Sequence, residues 1–256
     1  MARILPLQKG IIYGPVGSRR LGRSLGINLS PTVRKVCSFN CVYCHYGWTK
    51  DLSRDLSAQA ALLPAPEAVE RELEAALKVL DPPPEYITFS GNGEPTLHPD
   101  FEEIVDRVVA VRDRYGPGPQ VAVLSNSTAL GNESVLRALA RLDVRIMKLD
   151  AGTDEVLGRI NRPAAGIGVG EIVRGLRKVA GVTLQSVFVE GGVSNTADEE
   201  IEAWLERVEE VAPAAVQIYS LENAPAMSTL TPVSRRRLEG IAVRVEERIG
   251  IRPGIY

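Results

Sequence analysis

Short apolar runs rich in Val, Ile and Phe alternate with amphipathic stretches along most of the chain, and this alternation restricts the fold more than any other feature. Val69, Leu73, Ala76, Leu77 and Leu80 recur at helical spacing behind Pro64-Ala65-Pro66, and Asp81-Pro82-Pro83-Pro84 stops them. Tyr86–Ser90 reads as a strand. Asp100 is placed to cap a helix carrying Phe101, Ile104, Val105 and Val108, which Pro117 breaks. Strands follow at Gln120–Asn126, Val144–Asp150, Val182–Glu190 and Ala215–Ser220. Between them the pattern predicts helices from Asn132-Glu133 to Leu142 and near Glu171–Val179. Another lies behind Thr196 as cap, with Ile201, Trp204, Leu205 and Val208 inward, and a last one spans 234–249. Upstream, Ile11–Pro15 and Leu25–Leu29 are short candidate strands flanking a basic turn, Gly17–Arg23, which is either a solvated turn or an anion contact near the mouth of a site.

Strand and helix thus alternate about six times at roughly 30-residue intervals, which implies an α/β protein with parallel strands joined by right-handed crossovers. Six units are too few for a closed eight-stranded barrel; a partial barrel and a flat doubly wound sheet both satisfy the count. The Pro-rich segments separate helices from strands rather than domains, so one domain spans 1–256.

All three cysteines of the chain fall in Cys37-Ser38-Phe39-Asn40-Cys41-Val42-Tyr43-Cys44, spaced C-x3-C-x2-C. Three thiolates can hold three corners of a four-iron, four-sulfur cube and leave the fourth iron open, whereas a structural cluster takes four. Other readings fit parts of the stretch. Cys41-Val42-Tyr43-Cys44-His45 has the c-type haem attachment spacing, and the cysteines with His45 could bind zinc. They could also be buried thiols. A second motif, Gly91-Asn92-Gly93-Glu94-Pro95, sits at a strand end. Glycines there let backbone N–H and C=O groups approach a ligand, although a tight turn uses them equally well.

The C-x3-C-x-aromatic-C pattern, with Tyr43 before the last cysteine, resembles the signature of the radical S-adenosylmethionine (SAM) superfamily. The resemblance implies a partial open (β/α)6 TIM-like barrel with a short N-terminal extension. It implies a [4Fe-4S] cluster on Cys37, Cys41 and Cys44, SAM chelated to the open iron, and a 5′-deoxyadenosyl radical as product of SAM cleavage. Gly91, Asn92, Gly93 and Glu94 then resemble the Gly-Gly-Glu motif that binds the SAM amino group, with Asn92 in place of the usual first glycine. Tyr43, Ser125, Asn126 and Asp150 join them as implied cofactor contacts. The resemblance divides the chain into an extension (1–30), a barrel core (31–225) and a C-terminal helix (226–256). Tyr13–Gly26 and Phe89–Leu97 are also similar to a narrower group of small radical SAM proteins, distantly similar to wybutosine-pathway tRNA enzymes. Those enzymes use further cysteines for a second cluster, and none remain here.

Lys148 and Asp150 share strand parity, so both can face a barrel interior. With Tyr219, at the end of the sixth strand and a candidate hydrogen-atom donor, they are the candidate catalytic residues. The substrate is open: a small molecule, a protein as in glycyl-radical activation, or tRNA. A one-electron donor such as flavodoxin or ferredoxin is the expected partner. No run of about 18 apolar residues occurs, so no membrane span is expected. A net charge of −2 describes an ordinary globular protein, and with no apolar leader at the N-terminus and an odd cysteine count a reducing cytoplasm is the expected location.

Overall fold

The computed structural model describes residues 4–115 and 118–256, so the helix stop expected at Pro117 lies outside the described residues. The glycine-rich start folds into a hairpin, β1 (Ile12–Ser18) and β2 (Gly22–Asn28), paired antiparallel. The cysteine loop follows, carrying the two-residue strands β3 (Val36–Cys37) and β4 (Asp51–Leu52). Strand and helix then alternate through α1 (Pro66–Val79), β5 (Tyr86–Ser90), α2 (Phe101–Arg114), β6 (Gln120–Ser125), α3 (Glu133–Ala140) and β7 (Val144–Lys148). Next come α4 (Asp154–Ile160), α5 (Val169–Leu176), β8 (Thr183–Val187), β9 (Val189–Gly191) and α6 (Asp198–Val211). The chain ends with β10 (Ala215–Tyr219), β11 (Leu230–Pro232), α7 (Arg235–Ile249) and β12 (Gly254–Ile255).

One eight-stranded sheet runs β1-β2-β5-β6-β7-β8-β10-β12. Only the β1–β2 pairing is antiparallel; every other neighbouring pair is parallel. β1 and β12 are its edges and do not pair with each other, so the sheet is an open partial barrel. The helices cover one face, where Ile87, Phe89, Val121, Val123 and Met147 join the main core with Ile104, Val108 and Trp204. The opposite face, on the other strand parity, carries the smaller cluster of Leu21, Ala122 and Ile146. Each fully buried aliphatic side chain of the main core contributes about 1.5–3 kcal/mol relative to exposure.

The boundaries differ from expectation at both ends of the barrel. β2 lies within residues 1–30 yet is the first parallel strand, because Leu25 and Ile27 are buried against the core. Beyond the C-terminal helix, β12 adds a parallel strand beside β10. The long strand expected over 182–190 breaks at Phe188. Asn195 Oδ1 takes the Val189 N–H there, and β9 leaves the sheet to pair with β11. Asp100 makes no side-chain cap; its own N–H donates to His98 Nδ1. Thr196 does not cap α6 either: the helix starts after Ala197, whose N–H is taken by Glu200. The helix near 171–179 runs from 169 to 176, and α4, capped by Thr153 Oγ1, precedes it.

Trp204 of α6 locks the sheet where it matters for the site. It is fully buried, stacks edge-on against Phe188 at 5.1 Å, and donates through Nε1 to Leu149 O at 2.9 Å. That carbonyl lies between Lys148 and Asp150. Gly152 lets α6 come this close, since a Cβ there would sit 2.2 Å from the Ala203 backbone.

Candidate active site

The cysteine loop follows β2 and is held by two distant segments. Asn40 N donates to Asn161 O (2.9 Å), Val42 N to Ile160 O (3.0 Å), and Ala164 N to Ser38 O (2.8 Å). Met227 N donates to Val42 O at 2.8 Å. Phe39 and Val42 anchor the loop in the core and leave Cys37, Cys41 and Cys44 free and partly exposed.

Each thiol faces one side-chain N–H donor, and each donor comes from a different part of the fold. Lys35 Nζ lies 3.0 Å from Cys44 Sγ, Asn161 Nδ2 is 3.5 Å from Cys41 Sγ, and Asn126 Nδ2 is 3.6 Å from Cys37 Sγ. Lys35 is buried, and its ammonium also donates to Gly47 O at 2.6 Å. Burial, with the Glu94 charge behind it, pushes the Cys37 thiol up to about 12. Burial and the neighbouring Cys44 push Cys41 to about 11. These thiols ionise when a metal takes them, and the donors are placed to stabilise sulfur that has become negative. Among the described residues no three His, Cys, Asp or Glu side chains converge on a point that could hold one metal ion. His45 Nδ1 instead faces Asn223 Nδ2 at 3.5 Å. Three thiols on one loop, each beside an N–H donor, are a donor set that fits a four-iron cube with one iron left open.

The Gly91–Glu94 turn lies against this loop. Gly91 adopts φ +115°, and a Cβ there would meet Asn28 Oδ1, which accepts from Asn92 N at 3.0 Å. A Cβ on Gly93 would sit 2.1 Å from Val36 O, the carbonyl just before Cys37. This glycine therefore permits contact with the cysteine loop itself. Asn92, expected to meet the cofactor through its backbone, is fully buried, and its side chain ties the turn down: it accepts from Gln8 N and donates to Gln8 O and Pro31 O. Glu94 is buried, accepting from Thr96 N and Oγ1 on one oxygen and from Asn126 N (2.6 Å) on the other. Burial raises its pKa, which those donors partly oppose. Ser125 Oγ accepts from Ser127 N, and Asn126 Nδ2 also reaches Ser38 Oγ at 2.8 Å.

The second group joins β7 to β10. Asp150 accepts from Tyr43 OH, from Asn161 Nδ2 (2.7 Å) and from Val187 N (2.9 Å). Lys148 Nζ is 3.6 Å from Asp150 Oδ1 and 2.5 Å from Tyr219 OH, and stands over the rings of Tyr43 (4.9 Å) and Tyr219 (4.8 Å). Burial works to lower the Lys148 pKa, but Asp150 and Tyr219 outweigh it and hold the ammonium above its usual value. Burial first, then the Asp150 charge, pushes Tyr43 well up; burial also raises Tyr219. Both are neutral phenols beside a cation. Asn161 Oδ1 is buried with no hydrogen-bond partner, an acceptor that a bound group can answer.

Lys35 and Asn161 are not foreseen from the sequence. A lysine abutting the apolar Val36 beside a cysteine, and an Asn-Arg-Pro run after a helix, are the only signals they leave.

A partial parallel barrel with a three-thiol loop after its first strand is the build of radical SAM enzymes, and the family model of the Radical SAM superfamily matches residues 33–211. The chain belongs to this superfamily, whose members bind a [4Fe-4S] cluster and SAM, and within it to the UPF0026 proteins. It is 33% identical to the UPF0026 protein slr1464 of Synechocystis sp., over 94% of this chain and 84% of that one. TYW1 with a lysine-pyruvate adduct bound superposes with a TM-score of 0.62 at 17% identity, over 88% of this chain and 73% of that chain. Streptococcus suis SuiB bound to S-adenosylmethionine gives 0.62 at 13% identity, over 90% and 49%. At these identities the likeness to the solved structures is one of fold. Among the described residues no helix is long and apolar enough to cross a membrane.

Proposed function

We propose that Cys37, Cys41 and Cys44 each hold one iron of the cluster and that SAM seats between the Gly91–Glu94 turn, the end of β6 and Asp150. When bound, the reduced cluster supplies the electron that cleaves SAM into methionine and a 5′-deoxyadenosyl radical, which takes hydrogen from a substrate. The observation that carries this reading is the set of three thiols on one loop, each with its own N–H donor.

Lys35, Asn126 and Asn161 support the thiolates. Glu94 is a buried carboxylate suited to an ammonium group, since a cation beside it offsets the cost of its burial. Tyr43 and Asn161 fix Asp150 for hydrogen bonding. Lys148, held as an ammonium, suits binding of negative charge better than attack on a carbonyl. The electron comes from a one-electron donor such as flavodoxin or ferredoxin.

The test is release of 5′-deoxyadenosine from SAM by anaerobically reconstituted, chemically reduced protein. Wild type releases it and holds about four irons per chain. Release by Cys41→Ala at the wild-type rate would refute the assignment.

A further inference from the structure

The basic turn between β1 and β2 takes no part in the chemistry above, yet it reaches the same interior. Ser18 Oγ accepts from the N–H groups of Arg20 (3.2 Å) and Leu21 (3.1 Å), which fixes the hairpin tip. Leu21 is buried against Ala122 and Ile146, on the sheet face away from the helices. The tip is thus plugged into the barrel, and Arg20 follows it in. Its guanidinium lies 4.8 Å from the Tyr219 ring centroid and 6.0 Å from that of Tyr256.

Its neighbour Arg19 pairs with Glu222 at the surface. Arg20, among the described residues, has no carboxylate or carbonyl partner for its guanidinium. Lys148 Nζ stands at the same 4.8 Å from the same Tyr219 ring. Two cations therefore share one tyrosine. The carboxylate beside Lys148, Asp150, already accepts from Tyr43, Asn161 and Val187 N. Stacking on an aromatic face leaves the N–H edges of a guanidinium free, and that edge matches two oxygens of a carboxylate or phosphate.

We propose that Arg20 and Lys148, both against the Tyr219 ring, bind an oxyanion of the substrate, a carboxylate or a phosphate. This rests on the radical SAM reading, in which the barrel interior receives the substrate. The hairpin then has a role in binding, because it carries the guanidinium to Tyr219 at the end of β10.

The test titrates reconstituted protein by calorimetry with inorganic phosphate in one arm and acetate in the other, each with and without saturating SAM. Wild type binds one of the two anions, and Arg20→Gln binds it at least about tenfold more weakly. Arg20→Lys, which keeps the charge and loses the fork, falls between them. Arg19→Gln, a surface control, binds as wild type does. Equal affinity in wild type and Arg20→Gln overturns the proposal. So does displacement of the anion by SAM, which would make this the seat of SAM's own carboxylate. Wild type that binds SAM but neither anion overturns the oxyanion site alone. Wild type that binds the anion but neither binds nor cleaves SAM overturns the radical SAM reading and leaves the oxyanion site standing.

Discussion

The ends of β5 and β6 and the ends of β7 and β10 lie on one sheet, and both are buried and polar. They differ in whether their polar groups are already engaged. At β5 and β6 both Glu94 oxygens accept from Thr96 and Asn126, and the Asn92 amide is saturated by Gln8 and Pro31. At β7 and β10 two cations crowd one tyrosine, Arg20 has no anion among the described residues, and Asn161 Oδ1 has no donor. A saturated region offers a ligand a fixed shape and charge to rest against. A region with groups left over is where a ligand also completes the hydrogen bonding.

The largest expected effect tests the loop both regions serve. Cys41→Ala should take iron from about four per chain to background, read by iron assay and absorbance. Next, Asn92→Ala should destabilise by about 3 kcal/mol in urea unfolding, since it orphans several buried partners, while Tyr219→Phe should cost about 1 kcal/mol or less. Equal costs would erase the distinction between the two regions. Third, Lys35→Met removes a positive charge and a donor from Cys44. The cluster potential should become more negative by about 60 mV or more, measured by EPR-monitored redox titration. An unchanged potential would reduce Lys35 to a structural tie for Gly47.

The smallest effect concerns Tyr13, bonded to Ser90 at 2.5 Å on the saturated side. Burial pushes its pKa from 10.0 up to about 12. A folded value above the unfolded one means that its contribution to stability is whole below the unfolded value and is lost as pH rises through the folded one. The stability advantage of wild type over Tyr13→Phe should therefore shrink between pH 10.0 and about 12, followed by chemical denaturation. An advantage that grows over that window would reverse the sign of the argument.

The alternation of strand and helix was legible because it is written in local periodicity, and the three cysteines because they are close in sequence. The contacts that define the site are not local. Tyr43 meets Asp150 across 107 positions, and Asn161 reaches Cys41 across 120. Strand parity did place Lys148 and Asp150 on one face, since parity is itself a local property. The Asn92 side chain is not local in this way: only the fold reveals Gln8 waiting behind it. Short α4 is marked by Thr153-Asp154-Glu155 but carries Gly158 inside it, which weakens its periodic signal.

Gly93 carries a mechanical consequence. With only hydrogen on its Cα, it rests directly against the Val36 carbonyl, and Cys37 is the next residue. The two motifs are thus pressed backbone to backbone, and the gap between them is gauged by the absence of a single methyl group. Even alanine at this position would push the first thiol away from the turn that faces it, so this glycine acts as the shim that sets the working clearance of the site.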